Sequence, residues 1–393
     1  MIIKKMLVVD DEIDFARYVA DVAEDLGFEV TVTDKPSDFS VLYSNTLDVI
    51  VLDLYMPGTD GIELLRFLAD KKSQAAVVFM SGKDRSVLHS AKVLAIEHCI
   101  SVLGTLQKPF RANELETILR KYSKSPLKIL ASANLVSVEE LRQAIKDEVL
   151  FLVYQPQVTI SDRELIGVEA LVRWKHPKKG MIPPDFFIPM AEENGLISEI
   201  TSFTTKAAIH QQGIWKRQGK NIRMSINISP KTLDDLDLPE KLEACAKYLG
   251  ADVSNLMLEV TETALTSNVV RYMDILSRIR MKGFGLAIDD FGTGYSSLQQ
   301  LIRVPFSDLK IDKAFIQKLT TEKECYTITN ISIMLAHELG MCAIAEGIET
   351  EADWNILKQL GCDEGQGYWI ARPMPPEELE SWTKIWSARK HVY

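Results

Sequence analysis

The chain has 393 residues, 46% of them hydrophobic, enough for two or three domains with a buried core in each. Its formal net charge of -10 excludes a broadly basic face that holds long nucleic acid by its phosphates, so no DNA partner is expected. With no run of 18 apolar residues and too short an apolar start for a secretory signal, neither a membrane span nor membrane attachment is expected.

Five cysteines, odd in number and widely spaced, include no Cys-x-x-Cys pair. They point to a reduced, cytoplasmic setting and away from zinc. The six histidines are scattered, and His337 is expected to pack on a helix.

From the start of the chain, Met6–Val9, Val49–Leu52, Val77–Met80 and Ser101–Leu103 are short apolar runs. Helical stretches such as Phe15–Leu26 and Gly61–Leu68 alternate with them. This alternation predicts an α/β domain over residues 1–122, a parallel sheet covered by helices. Asp10, Asp11 and Asp53 follow predicted strands and are expected to meet at the carboxyl edge of that sheet, where such folds bind ligands. Lys108 follows another strand. Three carboxylates in one place repel unless a divalent cation joins them, and Mg2+ suits an all-oxygen site.

These residues sit in the stretches Val8-Val9-Asp10-Asp11-Glu12, Val51-Leu52-Asp53-Leu54-Tyr55-Met56-Pro57-Gly58, Met80-Ser81-Gly82 and Lys108-Pro109-Phe110. On them, residues 1–122 closely resemble the response-regulator receiver family, a doubly wound fold. The resemblance implies that Asp53 accepts a phosphoryl group from a cognate histidine kinase. Asp10 and Asp11 would hold Mg2+, and Ser81 and Lys108 would contact the phosphoryl oxygens. Thr105 stands where the family often has a Tyr or Phe that packs inward on activation, and its small side chain cannot report the switch in that way.

A helix over Asn113–Tyr122 is expected to close the first domain. Pro126 breaks the pattern. Ser137 lies three residues before Glu140, a capping-box spacing for a helix to about Lys146. Residues 123–147 are therefore read as an ordered helical connector, and 148–393 as the second domain.

There, Phe151–Val158 and Leu165–Leu171 read as neighbouring strands. Strands then alternate with helices: Ile222–Ile228, Leu256–Val260, Gly285–Ile288, Phe306–Ile311, Cys342–Ala345 and a short one near Asp363–Tyr368. Helical spacing appears in Leu196–Gln212, Leu238–Tyr248, Val270–Met281 and Tyr326–Leu339. Seven or eight such units predict a (β/α)8 TIM-like barrel. Reactive groups in such barrels sit at the carboxyl ends of the strands. Glu169, Asn227, Glu259, Asp289, Lys310, Glu346 and Gln366 fall there in order.

Ligand type points to the chemistry. Glu169, Asn227, Glu259 and Asp289 supply hard oxygen atoms, while Asp290 and Glu346 can hold a second ion with Asp289 bridging. This set suits Mg2+ or Mn2+. Two such ions can make a hydroxide nucleophile and neutralise charge growing on a phosphoryl group, and Lys310 can orient the water or stabilise the developing oxyanion. Glu346 is read as a ligand first and a proton acceptor second. The glycine run from Asp290 to Ser297 gives a loop able to approach closely, with Glu262 as its anchor. Arg173 can fork hydrogen bonds to a phosphate or a guanine edge. Trp174 is expected to pack beneath it, and Tyr295 and Tyr368 are weaker ligand contacts. Asp312 and Glu349 are read as partners standing behind the ligands.

The segment from about Leu152 to Pro376 strongly resembles the EAL family of cyclic-di-GMP phosphodiesterases. Its motifs are Tyr154-Gln155-Pro156, Glu169-Ala-Leu-Val-Arg173-Trp174, Asn227-Ile-Ser229, Glu259-Val-Thr-Glu262, Asp289-Asp290-Phe-Gly, Lys310-Ile-Asp312, Glu346-Gly-Ile-Glu349 and Gln366-Gly367. The resemblance implies hydrolysis of cyclic-di-GMP to linear pGpG with Mg2+ or Mn2+. The ligands and the lysine would be those already picked, with Gln155, Arg173 and Gln366 around the substrate. It also implies an antiparallel first barrel strand. Both families often pair, so a homodimer or higher homo-oligomer is expected. The alternatives are a receptor that binds cyclic-di-GMP without cleaving it, whose degenerate members would lose a metal ligand or the lysine where this chain keeps both, and a phosphorelay scaffold, which would leave the acids idle.

Overall fold

A computed structural model describes residues 4–58, 60–82, 85–98, 100–124, 136–262, 264, 269–293 and 298–388. The chain divides into two compact units, Met1–Asn134 and Leu135–Tyr393. Among the described residues no helix is long and apolar enough to cross a membrane.

The first unit is a five-stranded parallel sheet: β1 (Lys4–Val9), β2 (Phe28–Thr33), β3 (Val49–Asp53), β4 (Ala76–Ser81) and β5 (Val102–Gln107). The strands lie in the order β2-β1-β3-β4-β5. The central strands are buried on both faces, so they read as unbroken apolar runs. One face packs on the helices Ile13–Glu24 and Ala112–Lys124, through residues such as Val19 and Leu119. The other packs on Gly61–Asp70 and Arg85–Glu97, through Leu65 and Ala91. Strand β2 escaped the sequence reading because it lies at an edge and alternates buried with exposed positions. Strand β5 runs four residues past its expected end, since it is only partly buried. The order puts the carboxyl ends of β1 and β3 side by side, which brings Asp10 to Asp53.

The second unit is a closed barrel of eight strands: β6 (Leu150–Thr159), β7 (Leu165–His176), β9 (Arg223–Asn227), β10 (Leu256–Thr261), β11 (Gly285–Phe291), β12 (Asp308–Ile311), β13 (Cys342–Ala345) and β14 (Glu364–Gly365). A short β8 (Gly180–Ile182) extends β7 outside the ring as a hairpin arm. Strand β6 runs antiparallel to both its neighbours, β7 and β14, and closes the barrel. The other barrel neighbours are parallel. Apolar outward positions such as Leu258, Ile288 and Leu309 pack under the surrounding helices, including Ile197–Arg217, Val269–Met281 and Lys323–Glu338.

The helix Val138–Lys146 starts at a capping box: Ser137 Oγ accepts from the Glu140 amide at 3.1 Å, and Glu140 Oε2 accepts from the Ser137 amide at 2.7 Å. Read from sequence as part of a connector, it instead packs into the second unit. Leu141 and Ala144 meet Trp174, Phe187 and Leu150. The preceding connector residues 125–135 lie outside the described residues. Glu140 also takes Lys179 Nζ at 2.8 Å, tying the helix to the turn between β7 and β8. Ser137→Ala removes one cap bond and should lower stability by about 1 kcal/mol. Urea unfolding followed by tryptophan fluorescence checks this, because all six tryptophans lie in the second unit.

Candidate active site

The carboxyl ends of the barrel strands carry the site, and period-two alternation aims its members inward. Glu169 lies on β7, Asn227 ends β9, Glu259 lies on β10, Asp289 on β11 and Lys310 on β12; Glu346 and Gln366 directly follow β13 and β14. Consecutive residues of a regular strand face opposite sides. A register shift between Ile288 and Phe291 breaks that rule, and Asp290 adopts φ +55. The bulge lets Asp289 and Asp290 face the same site. Oxygens of Asp289, Asp290 and Glu346 all lie within 4.8 Å of one another.

Lys310 is fully buried at the centre. Its Nζ lies 2.5 Å from Glu346 Oε1, 2.8 Å from Glu259 Oε2, 3.3 Å from Asp289 Oδ1 and 4.0 Å from Glu169 Oε2. Burial alone would push its pKa down, but the four carboxylates raise it well above the ordinary lysine value. Burial pushes the Glu259 carboxyl up to about 8, with Glu169 and Asp289 adding to the rise and Lys310 opposing it. Burial also pushes Asp290 up to about 6, helped by Asp289 and Asp312. Glu346 is raised well above the carboxylate range, again chiefly by burial.

Glu169 is gripped by two amides. Asn227 Nδ2 donates to its Oε1 at 2.8 Å, and Gln366 Nε2 donates to its Oε2 at 2.6 Å. Gln366 also donates to Gln155 Oε1 at 3.0 Å, and Gln155 Nε2 donates to the Ala371 carbonyl at 3.1 Å. Both ends of the buried Gln155 amide are thus spent within the protein. Sequence reasoning missed the buried Gln157, which donates to Gln366 Oε1 at 3.1 Å. It lies two residues beyond Gln155 on β6, and the alternation of that strand is the signal that could have found it.

Around this core, Glu262 Oε2 accepts from the Gly292 amide at 2.9 Å, fixing the start of the glycine loop. Gly292 has φ +98, and an added Cβ would sit 2.8 Å from the Phe315 ring. Gly294, Tyr295, Ser296 and Ser297 of that loop lie outside the described residues. Asp312 caps the helix Lys313–Ile316 through the Ala314 amide at 2.7 Å. Glu349 accepts from Gln317 Nε2 at 2.8 Å. Arg173 is half-buried and donates to the Val172 carbonyl at 2.8 Å, while Trp174 is buried edge-on against Phe187. His337 pairs with Asp363 at 2.9 Å. A cleft of about 350 Å3 opens over Glu169, Asp289, Glu346 and Gln366, with Tyr368 on its wall.

The donor set fits divalent cations. Four carboxylates face one ammonium group, and the buried Glu259 Oε1 has no hydrogen-bond partner among the described residues. Hard oxygen atoms of this kind bind Mg2+ or Mn2+.

The first unit has its own acidic site. Oxygens of Asp10, Asp11 and Asp53 lie within 4.8 Å of one another. Lys108 Nζ reaches Asp10 at 2.6 Å and Asp53 at 2.5 Å, and stands over the Phe15 ring. Burial raises the Asp10 pKa against the pull of Lys108. Burial works to lower Lys108, but its hydrogen bonds to Asp10 and Asp53 prevail and raise it. Ser81 is buried at the end of β4, whose Met80 pairs with Asp53.

Comparison with known proteins gives two family matches, the EAL domain over residues 138–373 and the response regulator receiver domain over residues 6–120. The chain is 32% identical over 383 residues to the cyclic di-GMP phosphodiesterase RocR of Pseudomonas aeruginosa, covering 95% of this chain and 97% of RocR. It is 37% identical over 259 residues to MucR, a bifunctional diguanylate cyclase/cyclic di-GMP phosphodiesterase of the same organism. That match covers 66% of this chain but spans only 38% of MucR. The solved structure described as "PaMucR Phosphodiesterase, c-di-GMP complex" matches with a TM-score of 0.60 at 38% identity, over 62% of this chain and 98% of that chain.

The raised carboxyls give a pH signature. Free carboxyls ionise near 4, whereas Glu259 and Asp290 in the folded protein hold protons to about 8 and about 6. The folded state therefore binds more protons than the unfolded chain in this window, and stability falls as pH rises through it. A divalent cation takes the place of those protons. Mn2+ should raise the unfolding temperature more at about pH 8.5 than at about pH 6. Differential scanning fluorimetry reads this directly, and equal increments at both pH values would contradict it.

Proposed function

Because this chain belongs to the EAL family and carries a response regulator receiver domain ahead of its EAL domain, we propose that it is a cyclic-di-GMP phosphodiesterase whose activity is set by phosphorylation of Asp53. The observation that carries the enzymatic reading is the complete inward set of acids around Lys310. A protein that only bound the ligand would gain nothing from burying these like charges together.

Glu169, Asn227, Glu259 and Asp289 would hold one Mg2+ or Mn2+, and Asp290 and Glu346 a second, with Asp289 shared. When bound, such cations supply a hydroxide at neutral pH and neutralise phosphoryl charge. The donation from Asn227 Nδ2 to Glu169 leaves Asn227 Oδ1 as its ligand atom. Arg173 and Gln366, with Gln155 behind, would hold the dinucleotide in the cleft. An activated water would attack phosphorus in line with the leaving ribose oxygen: its O–P bond forms, the P–O(ribose) bond breaks, and linear pGpG results. Lys310 Nζ keeps its proton at neutral pH and would stabilise the negative oxygen developing beside it. Glu346, 2.5 Å from that ammonium, would act first as a ligand and second as acceptor of the water's proton.

In the receiver domain, Asp10 and Asp11 would hold Mg2+ beside Asp53, and a cognate histidine kinase would supply the phosphoryl group. A phosphoaspartate adds charge and acceptor oxygens where Lys108 is already aimed, and would draw Ser81 inward with it. Members of both families pair, and a homodimer is the assembly we expect. The described cysteines are all free thiols, which supports the cytoplasm as the proposed location.

Hydrolysis of cyclic-di-GMP followed by separation of linear product tests the site. With Mg2+ or Mn2+ present, Glu169→Ala and Lys310→Ala should each lose about 100-fold or more in kcat. Unchanged turnover in both would refute the assignment. Acetyl phosphate should change the rate of the native protein and leave Asp53→Ala unaffected. Equal rates in all four states would remove the switch and leave the enzyme standing.

A further inference from the structure

Below the acids, the barrel carries a set of polar side chains where branched aliphatic residues are usual in such folds. Arg223, at the start of β9, is paired there with Glu364 and lies 3.4 Å from Asp308. Its NH2 also donates to Gln157 Oε1 at 3.4 Å, and Ser225 Oγ donates to the same oxygen at 3.4 Å. Gln157 is fully buried. Its Nε2 donates to Gln366 Oε1, and Gln366 Nε2 donates to Glu169 Oε2. A single chain of hydrogen bonds thus runs from the amino end of the barrel to a candidate metal ligand.

Its polarity is fixed by chemistry at both ends. A guanidinium only donates and an ionised carboxylate only accepts. The Gln157 atom facing Arg223 must therefore be oxygen, which turns its NH2 toward Gln366. The Gln366 atom receiving that bond must in turn be oxygen, which turns its own NH2 toward Glu169. Each amide can meet its neighbours in only one of its two flips.

We infer that Gln157 is a positioning residue for the phosphodiesterase site. Together with Arg223 it holds the Gln366 carbonyl oxygen, as Gln155 holds the NH2, so that Gln366 grips Glu169 in the orientation needed to bind a divalent cation. Gln157 itself touches neither cation nor substrate. This inference rests on the metal-dependent reading above and adds a residue that the strand-end motifs do not contain.

Two substitutions separate locking from packing. Gln157→Met keeps the length and removes the donor, so Gln366 Oε1 loses its partner and the amide is held only through its NH2, by Gln155 and Glu169. Gln157→Glu sets a carboxylate against Gln366 Oε1, and the repulsion either pushes Gln366 out of place or flips it at the cost of its bonds to Gln155 and Glu169. Mn2+ affinity is measured by calorimetry on the full chain without nucleotide, well below each variant's unfolding temperature. The expected order is native, then Met, then Glu, with losses of about 10-fold or more for Met and larger for Glu. Hydrolysis should follow the same order at limiting Mn2+, with kcat recovering at saturating Mn2+ and KM for cyclic-di-GMP unchanged. A purely structural role would lower unfolding temperature without ordering the affinities in this way. Native-like Mn2+ affinity in Gln157→Met, alone or with Gln157→Glu, overturns the inference. A native protein that binds no Mn2+ and cleaves nothing overturns the functional reading instead, and the inference with it.

Discussion

One constraint governs the barrel: Glu169, Glu259, Asp289 and Glu346 surround the single ammonium of Lys310, which is itself fully buried. One positive charge cannot balance four negative ones in a low-dielectric site. Protons or cations must supply the difference. The raised carboxyls of Glu259, Asp290 and Glu346 are the expression of that demand, and a site of hard oxygen atoms is its chemical answer.

The fold supplies the convergence. Parallel strands place one inward residue each at the same end of the barrel, and the bulge in β11 adds a second aspartate where a regular strand would turn it away. The antiparallel β6 contributes from the opposite direction, bringing Gln155 and Gln157 beside Gln366. In the receiver sheet the same logic works on a smaller scale. Neighbouring β1 and β3 bring Asp10 to Asp53, and Lys108 arrives from the end of β5 to hold both. In each domain a lysine is held by carboxylates gathered at the carboxyl ends of parallel strands.

Much of this was legible in the sequence, because polar residues that end apolar runs mark the active rim of such folds. Lys310 and Glu346 could be placed from that pattern alone. What could not be read is depth. Alternation says that Gln157, Arg223 and Ser225 face inward, but their height in the barrel depends on the stagger of eight strands, which no local pattern encodes. The β11 bulge was hidden for a related reason: ligand type put both Asp289 and Asp290 in the site, but strict alternation has no place for the second until a register shift is seen. Edge strand β2 carried too few buried positions to stand out. The helix Val138–Lys146 was recognised by its capping box, but its allegiance was set by Trp174 and Phe187, well downstream of it.

The central claim is that these acids share two hard cations. Anomalous diffraction from crystals of the full chain grown with Mn2+ tests it most directly. The account predicts two peaks about 4 Å apart, one bounded by Glu169, Asn227, Glu259 and Asp289 and the other by Asp289, Asp290 and Glu346. Crystals with manganese bound at Asp10, Asp11 and Asp53 but none in the barrel would contradict it.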